Sequence, residues 1–335
     1  MRFWVHTIAL FAVMFGGFEV LGRLAIGHSP RERADPRYDR LPLPHEPVVH
    51  SSEGFSRGRT NELGHLDAPL PRPLPADGIL VVGDSYTEAR QVALAERFTD
   101  RLGARLGRRV YNAGHTGWSP INAVAFITAE RATFAPATVI VQVSGNDLGD
   151  IVTPRRPHVV EQGSGLAIAW PDRVKRGTAR RITDLRLALS RSAFAADLLS
   201  ASLTLLGGGR GDDEGDAGAS KAGACTEPDP RVARALPWLV GELAKTHPDV
   251  RLLYLPLLEY HGGCVDTCAA GRDLYRRAAE LAHVPLIDVT DALCARFRAT
   301  RQPLHGFWNT VPGTGHLNSE GHAVVADVLA AALRR

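Results

Sequence analysis

The stretch ILVVGDS, residues 79–85, predicts a buried strand that ends in a polar turn. Its apolar run is too short and too uniform for a surface helix, whereas such a run bounded by glycines is typical of a strand covered on both faces. Gly83, Asp84 and Ser85 come directly after it and open a helix. In a parallel sheet this places Ser85 at the carboxyl end of a strand, where functional groups gather.

Similar apolar runs recur along the chain and alternate with helical patterns. Further strands are predicted at 109–111, 138–143, 251–255 and 284–287, and helices at 93–106, 121–132, 230–245, 271–282 and 319–335. The last helix has Asn318 or Ser319 as its cap. Strands that alternate with helices of this length form βαβ units. We therefore predict an α/β fold, a three-layer sandwich around a mostly parallel five-stranded sheet.

The composition is that of an ordinary globular protein. Among 335 residues, 39 Lys+Arg nearly balance 36 Asp+Glu, and 44% are hydrophobic, which excludes a coiled coil, a collagen-like chain and a wholly disordered protein. The slight arginine excess forms no basic stripe, so no nucleic-acid partner is expected. Neither a Walker A loop nor an HExxH pair is present, and we expect no metal or organic cofactor. The oligomeric state stays open.

The amino-terminal stretch 3–26 is apolar and carries only three ionisable residues. It approaches the roughly 20 residues that span a bilayer, so residues 1–28 are predicted to form a signal anchor or transmembrane helix, with a cleaved signal peptide as the alternative. Four arginines at 31–40 favour a cytoplasmic domain by the positive-inside rule, but a first apolar segment without a second one usually exports the domain behind it. We expect a membrane-anchored protein whose large domain is extracytoplasmic, periplasmic or extracellular.

The remaining chain divides by composition. Residues 29–77 are rich in Pro, Arg and His with little periodicity, and predict a membrane-proximal linker. Residues 78–335 form the predicted catalytic domain, with an insertion at about 151–230. Within the insertion, 178–206 is amphipathic, whereas 207–224 is glycine-rich, charged and expected to be mobile. The insertion either caps the site or is a plain surface excursion.

Four cysteines, Cys225, Cys264, Cys268 and Cys294, allow two disulfides with three connectivities. A zinc site from Cys264, Cys268 and His261 with one more ligand is the alternative. The spacing lacks a CxxC pair, which favours a disulfide that involves Cys264 or Cys268.

Polar clusters come after three of the predicted strands, and a fourth precedes the last helix. They are GDSYTE at 83–88, NAGHTGWS at 112–119, GND at 145–147 and GHLNSEGH at 315–322. Glycines in the second cluster permit close approach of the backbone to a ligand. The Asn146 amide can donate to an oxyanion. Trp118 either lines the site as an apolar or sugar-stacking wall or simply packs in the core.

Serine, glycine, asparagine and histidine in this order, each in its own motif, resemble the SGNH/GDSL hydrolases of the membrane-anchored bacterial type. The resemblance covers 78–147 and the carboxyl-terminal block from His316. It implies an SGNH/flavodoxin-like sandwich with Ser85 as nucleophile and His316 as general base. It also implies an oxyanion hole formed by the N–H groups of Ser85 and Gly117 and the side chain of Asn146. A neutral serine hydroxyl needs such a base, and the tetrahedral oxyanion needs such donors.

The chain departs from the family where an aspartate usually stands two or three residues before the histidine, because Gly313 and Thr314 occupy those positions. In the serine-protease template, loss of that carboxylate costs roughly 10⁴ in rate. Three outcomes are open. In the first, a Ser-His dyad is oriented by a backbone carbonyl or by Thr314. In the second, a carboxylate from elsewhere, such as Asp288 or Asp147, replaces the aspartate. In the third, the enzyme is impaired.

An activated serine with an oxyanion hole performs acyl transfer, and the acceptor decides the reaction. The resemblance implies a carboxylic ester hydrolase that removes acyl groups, in particular acetyl groups, from a glycan or small ester outside the cytoplasm. Two alternatives are a polysaccharide O-acetyltransferase with the same Ser-His site and a non-catalytic glycan-binding relative. The expected partners are an acylated glycan or small molecule and the membrane.

Overall fold

The computed structural model describes residues 2–25, 30–35, 37–154, 156–170 and 229–334. The amphipathic and glycine-rich stretches predicted between 178 and 224 lie outside the described residues. So does Cys225.

The amino-terminal apolar stretch forms helix α1, Arg2–Ala25. Over the described residues, no helix combines the length and the apolar character that crossing a membrane requires. The transmembrane helix expected within residues 1–28 is therefore not supported.

The stretch predicted as a linker, 29–77, instead contains two antiparallel hairpins in its described part. The first pairs β1 (Glu32–Asp35) with β2 (Asp39–Pro42), and the second pairs β3 (Pro47–His50) with β4 (Ser56–Arg59). Tyr38 and Leu41 are buried in the main core, and buried Arg97 of the adjoining domain pairs with Asp67 at 3.3 Å. This stretch is thus packed onto the domain rather than extended, because its scattered apolar side chains find partners on the domain surface.

The central sheet has five strands, all parallel, as the sequence predicts. They are β5 (Ile79–Gly83), β6 (Val110–Gly114), β7 (Thr138–Ser144), β10 (Val250–Leu255) and β13 (Leu286–Asp288). Their order is β13-β10-β7-β5-β6, which puts β5 next to both β6 and β7. Polar residues at the ends of β5, β6 and β7 therefore meet at one edge of the sheet.

Helices cover both faces of this sheet. They are α2 (Ser85–Glu88), α3 (Phe98–Leu106), α4 (Pro120–Phe134), α5 (Leu148–Val152), α6 (Pro230–Thr246), α7 (Ala269–Leu281), α8 (Thr290–Thr300) and α9 (Ser319–Leu333). Along β5, Leu80 and Val82 face the core under α4, α6 and α7, while Ile79 and Val81 face the core under α3, α8 and α9. The alternation of side chains along a strand produces these three layers.

One predicted helix is shorter than its sequence pattern indicates. The pattern at 93–106 begins as a separate 3₁₀ turn, Leu94–Glu96, and α3 starts only at Phe98. The backbone of Arg97 is extended there, with φ −64° and ψ 147°, and its buried guanidinium hydrogen-bonds Asp100 at 2.8 Å. Tertiary contacts of Arg97 thus override local helix propensity. The final helix agrees with its prediction, and the Asn318 side chain caps it by accepting from the Gly321 N–H at 3.1 Å.

The other described strands form small hairpins, β8 (His158–Gln162) with β9 (Gly165–Ala169) and β11 (Leu258–Glu259) with β12 (Val265–Asp266). Cys264 beside β12 forms a disulfide with Cys294 of α8. Cys268 is disulfide-bonded too. The predicted disulfide is confirmed, and the zinc alternative is wrong because these thiols are already paired.

Candidate active site

Ser85 stands at the sharp turn between β5 and α2. From 78 to 92 every residue is buried except Ser85, which is partly exposed. The Asp84 side chain accepts from the Tyr86 N–H at 2.8 Å and thereby caps the short helix. At Gly83 a Cβ atom would come within 2.3 Å of Thr87 Oγ1 and 2.5 Å of Gln142 Oε1, so only glycine fits. The turn thus presents one hydroxyl at the sheet edge.

His316 lies against this hydroxyl although 231 residues separate the two in sequence. Its Nε2 is 2.8 Å from Ser85 Oγ. The loop that carries it is held by the Gly306 N–H, which donates to the His316 carbonyl at 3.0 Å, and by the Tyr86 hydroxyl, which donates to the Gly315 carbonyl at 3.3 Å. The Tyr86 and His316 rings pack with centroids 5.0 Å apart. The structure therefore brings the two residues predicted as nucleophile and base within hydrogen-bond distance.

The other ring nitrogen of His316 contacts a carboxylate that no sequence motif indicated. Glu53 Oε2 is 2.5 Å from His316 Nδ1, and Glu53 Oε1 accepts from the His316 backbone N–H at 2.6 Å. The exposed fractions of the two side chains are 7% for Glu53 and 12% for His316. Burial alone would raise the pKa of Glu53, but the hydrogen bonds and charge of His316 outweigh it and lower that pKa. Glu53 is thus an acceptor for an Nδ1–H proton.

These contacts define the tautomer of His316. With Nδ1–H donating to Glu53, Nε2 is left with its lone pair toward Ser85 Oγ and accepts the serine proton. This is the arrangement that a general base for a serine nucleophile requires.

Apart from Ser85 itself, the residues predicted for the oxyanion hole lie in the loops that follow β6 and β7, the two strands that flank β5. Gly117 comes after β6 in a turn at φ +80°, and its carbonyl accepts from Arg156 Nη1 at 3.1 Å. Thr116 beside it donates twice to buried Glu88, from N–H at 2.9 Å and from Oγ1 at 2.6 Å. Asn146 is exposed in the 3₁₀ turn Gly145–Asp147 after β7. All of them lie at the same sheet edge as Ser85.

The substitutes considered for the missing aspartate all have other partners. Asp288 accepts from the Thr290 N–H at 2.9 Å, and Asp147 from the Ser144 N–H at 2.8 Å. Thr314 Oγ1 donates to the Val311 carbonyl at 2.7 Å. The sequence allows Trp118 either to line the site or to pack in the core. It is 4% exposed and contacts Phe126, so it packs in the core.

Asp84 and Asp147 are both buried, and the charge of Asp84 acts on Asp147. Burial raises the pKa of Asp84 to about 6. Burial, together with the charge of Asp84, also raises the pKa of Asp147 well above its usual range. Over the part of the chain that the structure describes, no three His, Cys, Asp or Glu side chains form a group that could hold a metal ion.

One known protein family matches most of the domain that carries Ser85 and His316. The model of the GDSL-like lipase/acylhydrolase family matches residues 81–324. The chain belongs to this family. Members of the GDSL-like family hydrolyse ester bonds, and the chain is an enzyme of that kind. A comparison with curated proteins finds no match.

Solved structures of GDSL-like and related hydrolases resemble the chain at low identity. LAE5, an alpha/beta hydrolase enzyme from the metagenome of Lake Arreo, Spain, is 18% identical, with 77% of this chain and 95% of that chain covered and a TM-score of 0.43. A lipolytic protein of the G-D-S-L family from Veillonella parvula DSM 2008 is 11% identical, with 77% and 98% covered and a TM-score of 0.41. Est24, a carbohydrate acetylesterase from Sinorhizobium meliloti, is 14% identical, with 77% and 98% covered and a TM-score of 0.39.

Proposed function

We propose that the chain hydrolyses carboxylic esters with Ser85 as nucleophile and His316 as general base. The observation that carries the proposal is the 2.8 Å contact between Ser85 Oγ and His316 Nε2 at the carboxyl end of a central strand. A serine hydroxyl gains nucleophilicity only when a positioned base takes its proton. Family membership supplies the ester bond as the target.

The proposed reaction proceeds through an acyl-enzyme. Ser85 Oγ attacks the ester carbonyl while its proton passes to His316 Nε2, and the tetrahedral oxyanion accepts hydrogen bonds from the N–H groups of Ser85 and Gly117 and from Asn146. Each such donor contributes on the order of 3 kcal/mol to the transition state. His316 then returns the proton to the leaving alcohol. Water attacks the acyl-enzyme while it gives a proton to the same imidazole, and cleavage of the bond between the acyl carbon and Ser85 Oγ releases the carboxylic acid as that proton returns to Oγ.

For the substrate we propose an acetylated glycan. Trp308 supports this proposal because it is 84% exposed on the loop that leads to His316, and a large exposed aromatic ring is a suitable stacking surface for a sugar. A Trp308→Ala variant is expected to lose activity on an acetylated polysaccharide while retaining activity on p-nitrophenyl acetate. Equal losses on both substrates would count against the glycan.

We also propose that the enzyme works outside the cytoplasm. The disulfide between Cys264 and Cys294 supports this location, because such bonds form and persist in oxidising compartments. A carboxyl-terminal reporter that is active only outside the cytoplasm tests it, and a silent reporter would refute it.

Fluorophosphonate labelling and p-nitrophenyl acetate turnover test the proposed reaction. Wild type is expected to label at one serine and to turn over the ester, whereas Ser85→Ala and His316→Ala are expected to do neither. Ser164→Ala, at an exposed serine in the turn of the β8–β9 hairpin, is the matched control and should behave as wild type. Turnover that appears only when a saccharide acceptor is added would identify a transferase. Absence of both labelling and turnover in wild type would refute the proposal.

A further inference from the structure

The tip of the β3–β4 hairpin reaches the active site. Glu53 lies in the turn between Pro47–His50 and Ser56–Arg59, and it contacts His316 through both carboxylate oxygens, at 2.5 Å from Nδ1 and 2.6 Å from the backbone nitrogen. This hairpin precedes residue 81, where the family match begins. We propose that Glu53 is the positioning carboxylate of the catalytic histidine, so that an amino-terminal hairpin completes the Ser-His site. The inference rests on the proposed function of Ser85 and His316.

The loop before the histidine offers no carboxylate for this task. Gly313 and Gly315 have φ of +86° and +76°, a conformation that favours glycine. Thr314 between them turns its hydroxyl to the Val311 carbonyl. In the described part of the chain, Glu53 makes the only carboxylate hydrogen bonds to His316. The role that the family's aspartate plays therefore falls to a residue from a different part of the fold.

The surroundings hold Glu53 in one position. A Cβ atom on Gly315 would lie 1.9 Å from Glu53 Oε1, so the missing side chain at Gly315 makes room for the carboxylate. Beside Glu53, the Gly54 N–H donates to Asn309 Oδ1 at 2.7 Å, and Asn309 Nδ2 donates to the Ser51 carbonyl at 2.8 Å. Asn309 thus ties the hairpin tip to the loop that carries His316. Because Glu53 holds one side of the His316 ring and Ser85 contacts the other, the imidazole loses little conformational freedom when the reaction begins.

Glu53 acts on the reaction through His316. Its carboxylate keeps the proton on Nδ1, which leaves Nε2 free to take the serine proton, and it stabilises the imidazolium that results. Removing the Glu53 carboxylate favours the tautomer that carries its proton on Nε2. It also leaves the positive charge of the His316 imidazolium without this partner. Because Glu53 is only 7% exposed and both of its carboxylate oxygens contact His316, we expect the loss to appear in kcat rather than in KM.

The test compares Glu53→Gln with the matched control Glu46→Gln. Glu46 directly precedes β3 of the same hairpin, and its carboxylate pairs with Arg31 rather than with His316. We expect Glu53→Gln to lower kcat by roughly 10²- to 10⁴-fold with KM within about two-fold of wild type, while Glu46→Gln keeps both. Glu53→Asp, which retains a carboxylate, should recover part of the loss. A Glu53→Gln enzyme that is folded and within about three-fold of wild-type kcat would overturn the inference.

A spectroscopic measurement on the wild type covers the case in which Glu53→Gln fails to fold. A proton shared between imidazole Nδ1 and a carboxylate gives a strongly downfield resonance, which should disappear in His316→Ala. If wild type lacks that resonance at low temperature, Glu53 does not hold His316. The two proposals fail separately. Loss of turnover in Ser85→Ala but not in Glu53→Gln rejects only the inference, whereas full turnover in Ser85→Ala rejects the proposed function itself.

Discussion

Substitution of Gly315 by alanine should remove Glu53 from the active site without changing any ionisable residue. Gly315 has φ +76°, and an added Cβ would lie 1.9 Å from Glu53 Oε1 and 2.9 Å from its Cδ. The left-handed backbone costs an alanine about 1–2 kcal/mol. The Glu53 carboxylate must also move away from His316, and two charge-assisted hydrogen bonds of roughly 1.5–3 kcal/mol each are then lost. We expect the free energy of unfolding to fall by roughly 4 kcal/mol or more, and kcat to fall by at least about 10²-fold.

Gly107→Ala is the matched control for this substitution. Gly107 ends α3 with φ +65°, and nothing lies within 4 Å of its virtual Cβ. This variant should lose only the backbone contribution of about 1–2 kcal/mol and keep wild-type kcat. Urea unfolding and p-nitrophenyl acetate turnover measure both quantities. If Gly315→Ala loses no more stability than Gly107→Ala and keeps kcat within about two-fold, crowding at Gly315 does not displace the carboxylate and the reasoning is refuted.

Two further predictions concern a buried carboxyl group and a disulfide. Burial raises the pKa of Asp84 to about 6 in the folded protein, against about 4 when unfolded, so the unfolded state ionises first as pH rises from 4 to 6, and the contribution of Asp84 to stability falls over that window by about 3 kcal/mol at most. Asp84→Asn should therefore gain stability relative to wild type between pH 4.5 and 7 in urea unfolding, and a constant difference would contradict this. The Cys264–Cys294 disulfide spans 30 residues, so the double variant with serine at both positions should lose about 3–4 kcal/mol. An unchanged melting temperature would refute that estimate.

Glu53 does not confound the Asp84 measurement. Its pKa is lowered in the folded state, so its stabilising contribution is complete above its ordinary pKa near 4.5 and is lost only as pH falls further. The two carboxyl groups therefore act in different pH windows and with opposite sign. Other buried groups, Asp147 among them, also titrate above pH 4.5, so the difference between Asp84→Asn and wild type, rather than either profile alone, reports on Asp84.

Much of the sheet and half of the site can be predicted from local sequence. The strand at Ile79–Gly83 is predictable because an uninterrupted apolar run between glycines has few alternatives to a buried strand. Ser85 and His316 are predictable because each stands in a short motif, Ser85 directly after a buried strand and His316 directly before the last helix. The rule that parallel strands present their carboxyl ends at one edge places Ser85, whereas the fold of the loop before the last helix brings His316 to it.

Glu53, which forms a line of hydrogen bonds with His316 and Ser85, could not be predicted from local sequence. Glu53 is 263 residues from His316, stands in no motif, and comes from a stretch whose Pro, Arg and His content suggests irregular structure. The hairpin register, the contacts of Asn309 and the room at Gly315 bring it to the imidazole, and all three are tertiary properties. The helix expected at 93–106 failed in its first turns for the same reason, because distant partners of Arg97 determine its backbone.

The burial of Arg97 has a practical consequence for anyone preparing a fragment of this enzyme. Its side chain is 0% exposed, and it bonds the Leu66 carbonyl, Asp67 and Asp100. A recombinant piece trimmed to begin at Gly78 would lose the Leu66 and Asp67 partners and keep only Asp100 of these three. Each hydrogen bond lost from a charged group costs about 1.5–3 kcal/mol. Such a piece would be expected to precipitate or refold poorly before its chemistry could be assayed.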